Sequence, residues 1–106
     1  MSGSDAPGVA ELSLIRWRDI PAQLTASDGS TVRRHELSDR FQKAIDAAAM
    51  TAGLVDSEAY LDGWERDVRA CSADLDAELG REAERLEAAY DRSRLLALVR
   101  AGGLGG

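Results

Sequence analysis

The chain is short of the residues that most often carry chemistry. It has one cysteine, one histidine, two prolines, one lysine and five aromatic residues in 106. Cys71 alone cannot close an intrachain disulfide, and nothing in the cysteine usage points to an oxidising compartment. With His35 as the sole imidazole, a zinc or iron site is not expected, because such sites draw several nitrogen or sulfur ligands. No cofactor is expected either. No apolar run approaches the roughly 20 residues that span a bilayer, so no membrane association is expected. The opening residues, Met-Ser-Gly-Ser-Asp-Ala-Pro-Gly, carry neither a basic nor an apolar signal region. Residues 1–10 therefore read as a disordered leader, and the expected compartment is the cytoplasm. With aromatics so few, Trp17, Phe41, Tyr60, Trp64 and Tyr90 are each expected in the core or at an interface.

Charge is what the chain does have. The net charge is −6, with 19 acids against 13 bases. Residues 1–45 hold six acids and six bases; residues 46–106 hold thirteen and seven, and so supply the whole −6. An acidic C-terminal half argues against nucleic-acid binding, which depends on neutralising phosphates. The arginines of the N-terminal half, Arg16, Arg18, Arg33 and Arg34, remain as a candidate local basic patch, beside the alternative of an ordinary solvated or cross-strand-paired face.

The apolar pattern predicts one domain over residues 11–101. Residues 11–18 read as a strand, with Leu12, Leu14, Ile15 and Trp17 placing apolar groups on both faces. Pro21 cannot donate a ladder hydrogen bond and belongs at a strand start or edge. Ala22, Leu24 and Ala26 then alternate with polar residues as a half-buried second strand. Asp28-Gly29 predicts a two-residue type I′ turn returning through Ser30–His35. Ser38 is a candidate N-cap for a helix whose stripe is Phe41, Ala44, Ile45, Ala48, Ala49 and Ala52, ended by Gly53. A short helix follows within 54–62, with Tyr60 and Leu61 facing inward. Residues 64–71 alternate and read as a further strand, with a helix as the alternative. From Ser72 the period is helical, with Leu75, Leu79, Ala83, Leu86 and Tyr90 on one stripe. Asp91–Ser93 marks a kink or a new cap before a last apolar turn or two at Leu95–Val99. The glycines of 102–106 read as a flexible tail. The class is α+β: a small antiparallel sheet, made of an N-terminal strand, a hairpin and a candidate further strand, packed against two to three helices.

No catalytic constellation stands out. His35 as a general base needs an orienting carboxylate; Glu36 and Asp39 are near in sequence only. Cys71, at a strand-to-helix junction, has the placement of a reactive thiol, but a small buried hydrophobe is the simpler role. In Arg16-Trp17-Arg18, strand alternation puts Trp17 on one face and both arginines on the other. The arginines then pair with acids or grip a carboxylate or phosphate.

Three blocks carry a resemblance. Arg16-Trp17-Arg18-Asp19-Ile20-Pro21-Ala22-Gln23, then Arg33-Arg34 with the run Leu37 to Met50, then Tyr60-Leu61-x-x-Trp64, together resemble the small bacterial virulence factor domain. That domain also occurs in the conserved virulence factor C proteins. The resemblance covers about residues 11–100. It brings no established enzymatic activity or catalytic residues to carry over; it does imply an association with folate-dependent one-carbon and methyl-transfer metabolism. The expectation is therefore a non-catalytic domain that binds a protein partner, with Arg16, Trp17, Arg18, Arg33 and Arg34 as candidate contact residues. The alternative is an accessory or ligand-binding subunit in one-carbon metabolism. A homodimer through an exposed strand edge is also allowed.

Overall fold

The computed structural model describes residues 10–105. The leader assigned to 1–10 therefore lies outside the described residues, save Ala10. Among the described residues, four antiparallel strands, β1 (Ala10–Trp17), β2 (Ile20–Ser27), β3 (Val32–Glu36) and β4 (Trp64–Cys71), form one sheet in the order β3-β2-β1-β4. Four helices accompany it there: α1 (Asp39–Thr51), α2 (Glu58–Asp62), α3 (Leu75–Ala89) and α4 (Arg92–Arg100). The α+β reading holds, with more helices than the two to three expected. Asp91 starts a new helix rather than a kink, its carboxylate accepting from the Arg94 N–H at 2.9 Å.

Residues 64–71 are a strand, paired along all of β1 from Trp17↔Trp64 to Ala10↔Cys71. The alternation of charged and apolar residues decided this, since a two-residue period does not make a helical stripe. β1 and β2 are joined by only Arg18 and Asp19, and Arg18 takes a left-handed φ of 51°. Arginine carries no turn signal, so tertiary contacts set this corner. The Arg18 N–H donates to the Gly63 carbonyl at 2.7 Å and the Asp19 N–H to the Gly103 carbonyl at 2.8 Å. Pro21 sits beside a register shift: Arg16 faces Pro21 while Ile15 faces Gln23. A bulge of this kind is where a sheet tolerates a residue without an N–H.

The turn between β2 and β3 corrects the two-residue expectation. Ser27 pairs with Val32, so the loop spans Asp28–Thr31 and the return strand begins at Val32. The Asp28 carboxylate accepts from the Ser30 and Thr31 N–H groups at 3.0 and 2.7 Å. That local capture of two backbone donors competes with a tight hairpin.

One sheet face carries Leu12, Leu24 and Ala26, all buried, and α3 crosses it. Ion pairs tie α3 to both edge strands, Arg33 to Asp76 at 3.8 Å from β3 and Arg69 to Glu82 at 3.5 Å from β4. The stripe Leu75, Leu79, Ala83 and Leu86 is buried as its spacing predicts. So is Phe41, Ala44, Ile45, Ala48 and Ala49 of α1, which packs on β2 and α4. Ser38 precedes α1, but its side chain makes no cap bond. Instead the Ser38 N–H and hydroxyl both donate to the Glu87 carboxylate, at 2.7 and 2.8 Å, joining α1 to α3. The opposite sheet face leaves Glu11, Val32, Arg34, Arg66 and Val68 exposed. Ser13 on that face is buried, its hydroxyl accepting from Nε and Nη2 of Arg66 at 3.2 and 3.0 Å.

Residues 102–105, expected as a flexible tail, return to the sheet. Gly102 and Gly103 are buried, and the Gly105 N–H donates to the Asp19 carboxylate at 2.9 Å.

Candidate functional site

The five residues singled out from the sequence do not meet in one patch. Trp17 is fully buried, and its indole Nε1–H donates to the Tyr60 carbonyl at 2.7 Å. Arg18 lies over that indole, its guanidinium carbon 5.0 Å from the ring centroid, and donates to the Gly102 carbonyl at 2.9 Å. Arg16 donates through Nε to Asp67 at 2.7 Å and through Nη1 to the Arg18 carbonyl at 2.6 Å. The Arg16 guanidinium holds the Asp67 carboxyl below the usual carboxylate range. These three residues are thus committed to closing the β1–β2 corner.

Arg33 and Arg34 lie toward the other end of the sheet and on opposite faces. Arg33 stands across from Ala26 on the face that α3 covers, and Arg34 across from Thr25 on the open face. Register alone separates them from Arg16, which pairs with Pro21. Among the five, only Arg34 is an exposed cation that makes no ion pair among the described residues.

His35 is exposed on the edge strand β3, across from Leu24. Cys71 is half-buried at the end of β4. Burial pushes its thiol above the ordinary range, with the Glu78 carboxylate adding to the effect. That is the reverse of the activation expected of a nucleophile. No group of three or more His, Cys, Asp or Glu side chains among the described residues is placed to hold a metal ion.

A different region gathers what a binding surface needs. Between the C-terminal half of α1 and the loop leading into α2 lies an open groove of about 640 Å³. Met50, Val55 and Leu61 line it and are 70%, 52% and 65% exposed. Leu61 corrects the expectation that it faces inward with Tyr60. Only five residues long, α2 turns Tyr60 toward the Trp17 and Trp64 rings, at 5.6 and 6.2 Å, and Leu61 outward. Asp46, Asp56 and Glu58 also line the groove.

The groove wall is fixed by short hydrogen bonds. The Leu54 N–H donates to the Ala49 carbonyl at 2.9 Å, and the Ser57 hydroxyl donates to the Leu54 carbonyl at 2.6 Å. The Ser57 hydroxyl also caps α2, accepting from the Tyr60 N–H at 3.3 Å. Asp56 holds a left-handed φ of 64°, which aspartate tolerates better than most residues. Reading the sequence for stripes misses this site, because Met50, Val55 and Leu61 share no period. A signal was present: residues 44–65 hold five acids, Asp46, Asp56, Glu58, Asp62 and Glu65, and no base.

A family model described as virulence factor matches residues 15–99. That span takes in β2, β3, β4, α1 to α3, most of α4 and the end of β1. Neither curated proteins nor solved structures give a match.

Proposed function

This chain belongs to the virulence factor family, and from that premise we propose that it is a non-catalytic domain that docks a protein partner in the groove between α1 and α2. One observation carries the reading: three large apolar side chains, Met50, Val55 and Leu61, stand more than half exposed around one concavity. Single exposed apolar residues are ordinary; gathered ones mark interaction sites. Each gives roughly 25 cal/mol per Å² of apolar surface removed from water on docking. The wall is already hydrogen-bonded, so little ordering cost opposes binding. A cytoplasmic location belongs to the same proposal.

A second reading keeps the site and changes its occupant. Small-molecule sites run from roughly 300 to 1,000 Å³, and the groove, at about 640 Å³, falls in that range. An accessory, ligand-binding subunit of folate-dependent methyl transfer would use it so. The lining acids weigh against a folate, whose carboxylates would meet Asp46, Asp56 and Glu58 with no base among the lining residues.

A photo-crosslinking residue placed at Val55 or Leu61, with Glu84 on α3 as the control position, tests the first reading in the native cell. The expected result is one discrete adduct of the same mass from both groove positions and none from Glu84. No adduct, or the same adduct from all three positions, overturns it. A thermal shift with folates or corrinoids separates the second reading, since a ligand at 100 times its Kd adds about 2.7 kcal/mol of stability.

A further inference from the structure

We propose that the segment docking in the α1–α2 groove is cationic and amphipathic, with apolar side chains flanked by lysine or arginine. The inference rests on the groove being a protein-docking site, and adds what kind of segment it selects.

The charge around the groove is one-sided. The 22 residues from Ala44 to Glu65 carry five acids and no base. This is not general to the first half of the chain, where residues 1–45 balance six against six. The three groove acids are also uncommitted to cations. Asp46 accepts from the Gln42 amide at 3.1 Å. None of Asp46, Asp56 and Glu58 forms an ion pair among the described residues. The nearest corner of the sheet does offer two arginines, but Arg16 is bound to Asp67 and Arg18 to the Gly102 carbonyl.

The apolar and acidic lining residues ask for complementary parts of one partner. Met50, Val55 and Leu61 take its apolar side chains, and the carboxylates of Asp46, Asp56 and Glu58 take its cations. Charge of this kind raises the encounter rate and rejects acidic competitors more than it adds affinity. An anionic membrane, a nucleic acid or a second copy of this −6 chain would bring like charge to these carboxylates.

The test titrates the full, isotope-labelled chain with two synthetic amphipathic peptides, followed by amide NMR. Both carry the same leucines; one carries lysines and the other glutamates at the polar positions. The lysine peptide is expected to shift Met50 and residues 55–61 saturably, less so as salt rises. The glutamate peptide is expected to leave them unmoved. Replacing Asp56→Asn and Glu58→Gln together should weaken the lysine peptide about fivefold, as exposed charge pairs allow. Asparagine also tolerates the left-handed backbone at 56. Equal binding of both peptides in the groove overturns the charge selection and leaves the docking reading standing. Shifts confined to α3 likewise overturn it. If neither peptide reaches the groove the inference falls, and the crosslinks at Val55 and Leu61 then decide the docking reading on their own.

Discussion

Gly103 lies against the buried indole of Trp17, so close that a Cβ at this position would sit 2.8 Å from Cζ3. From another side, a Cβ at Gly63 would meet Nε1 at 2.5 Å. The ring is thus closed in by two backbone segments, one leading into β4 and one following α4. The corner stands on this contact. Trp17 ends β1, Asp19 holds Gly103 and Gly105 through hydrogen bonds, and Arg18 caps Gly102. The Arg16-Trp17-Arg18 run, a candidate contact surface in the sequence, is a joint between the first strand and the last residues described.

Replacing Gly103→Ala should therefore destabilise the domain by about 2–3 kcal/mol, from overpacking and from the left-handed φ of 94°. Gly80 is the contrast. It lies in α3 with open space at its Cβ, so Gly80→Ala should stabilise by about 1 kcal/mol. Urea unfolding of both variants checks the pair. An unchanged midpoint for Gly103→Ala would mean that the 102–105 segment does not pack on Trp17.

Glu87 sets a pH dependence. Burial raises its carboxyl, but the Ser38 N–H and hydroxyl and the Arg40 guanidinium outweigh that and hold it below the ordinary range. A carboxyl lowered in the folded state contributes stability above its unfolded pKa of about 4.3 and loses it as pH falls through the folded value. Glu87→Gln should cost about 1 kcal/mol at pH 7. The gap to wild type should close as pH falls from that unfolded pKa through the lower folded one. Denaturation curves across that range decide it; a gap that persists at the acid end would assign the loss to packing and not to charge.

Cys71 should react slowly. Burial and the Glu78 carboxylate raise its thiol, so less thiolate is present near neutrality than in a free cysteine. Alkylation by iodoacetamide should be slower than for a cysteine-containing peptide at the same pH. A faster rate would reopen a nucleophilic role.

Much of the fold is legible because its signals are periodic. The stripes of α1 and α3 and the alternation of β4 each follow from spacing. Gly53, at φ 72°, follows α1 as its sequence position implies. What escapes the sequence is set by contacts distant in the chain or by competing local bonds. The Arg18-Asp19 corner depends on carbonyls of Gly63 and Gly103, and the longer β2–β3 loop on one aspartate taking two N–H groups. The buried glycine tail depends on Trp17, some 85 residues earlier by position. The groove escapes for another reason: Met50, Val55 and Leu61 sit on a helix, a loop and a second helix, and only the fold makes them one surface. The arginines mislead in the opposite direction. They are near in sequence motif, yet the sheet register and the α3 crossing put Arg16, Arg33 and Arg34 on separate surfaces.

Crosslink yield from a photoreactive residue at Val55 in the native cell decides between docking in the α1–α2 groove and docking on the arginines of the hairpin. Three backgrounds are compared: wild type, Leu61→Asp, and the double change Arg33→Ala with Arg34→Ala, all at exposed positions. If the partner docks in the groove, the adduct is lost with Leu61→Asp and kept at wild-type yield with the arginine pair removed. An adduct that survives Leu61→Asp and disappears with Arg33 and Arg34 would contradict it.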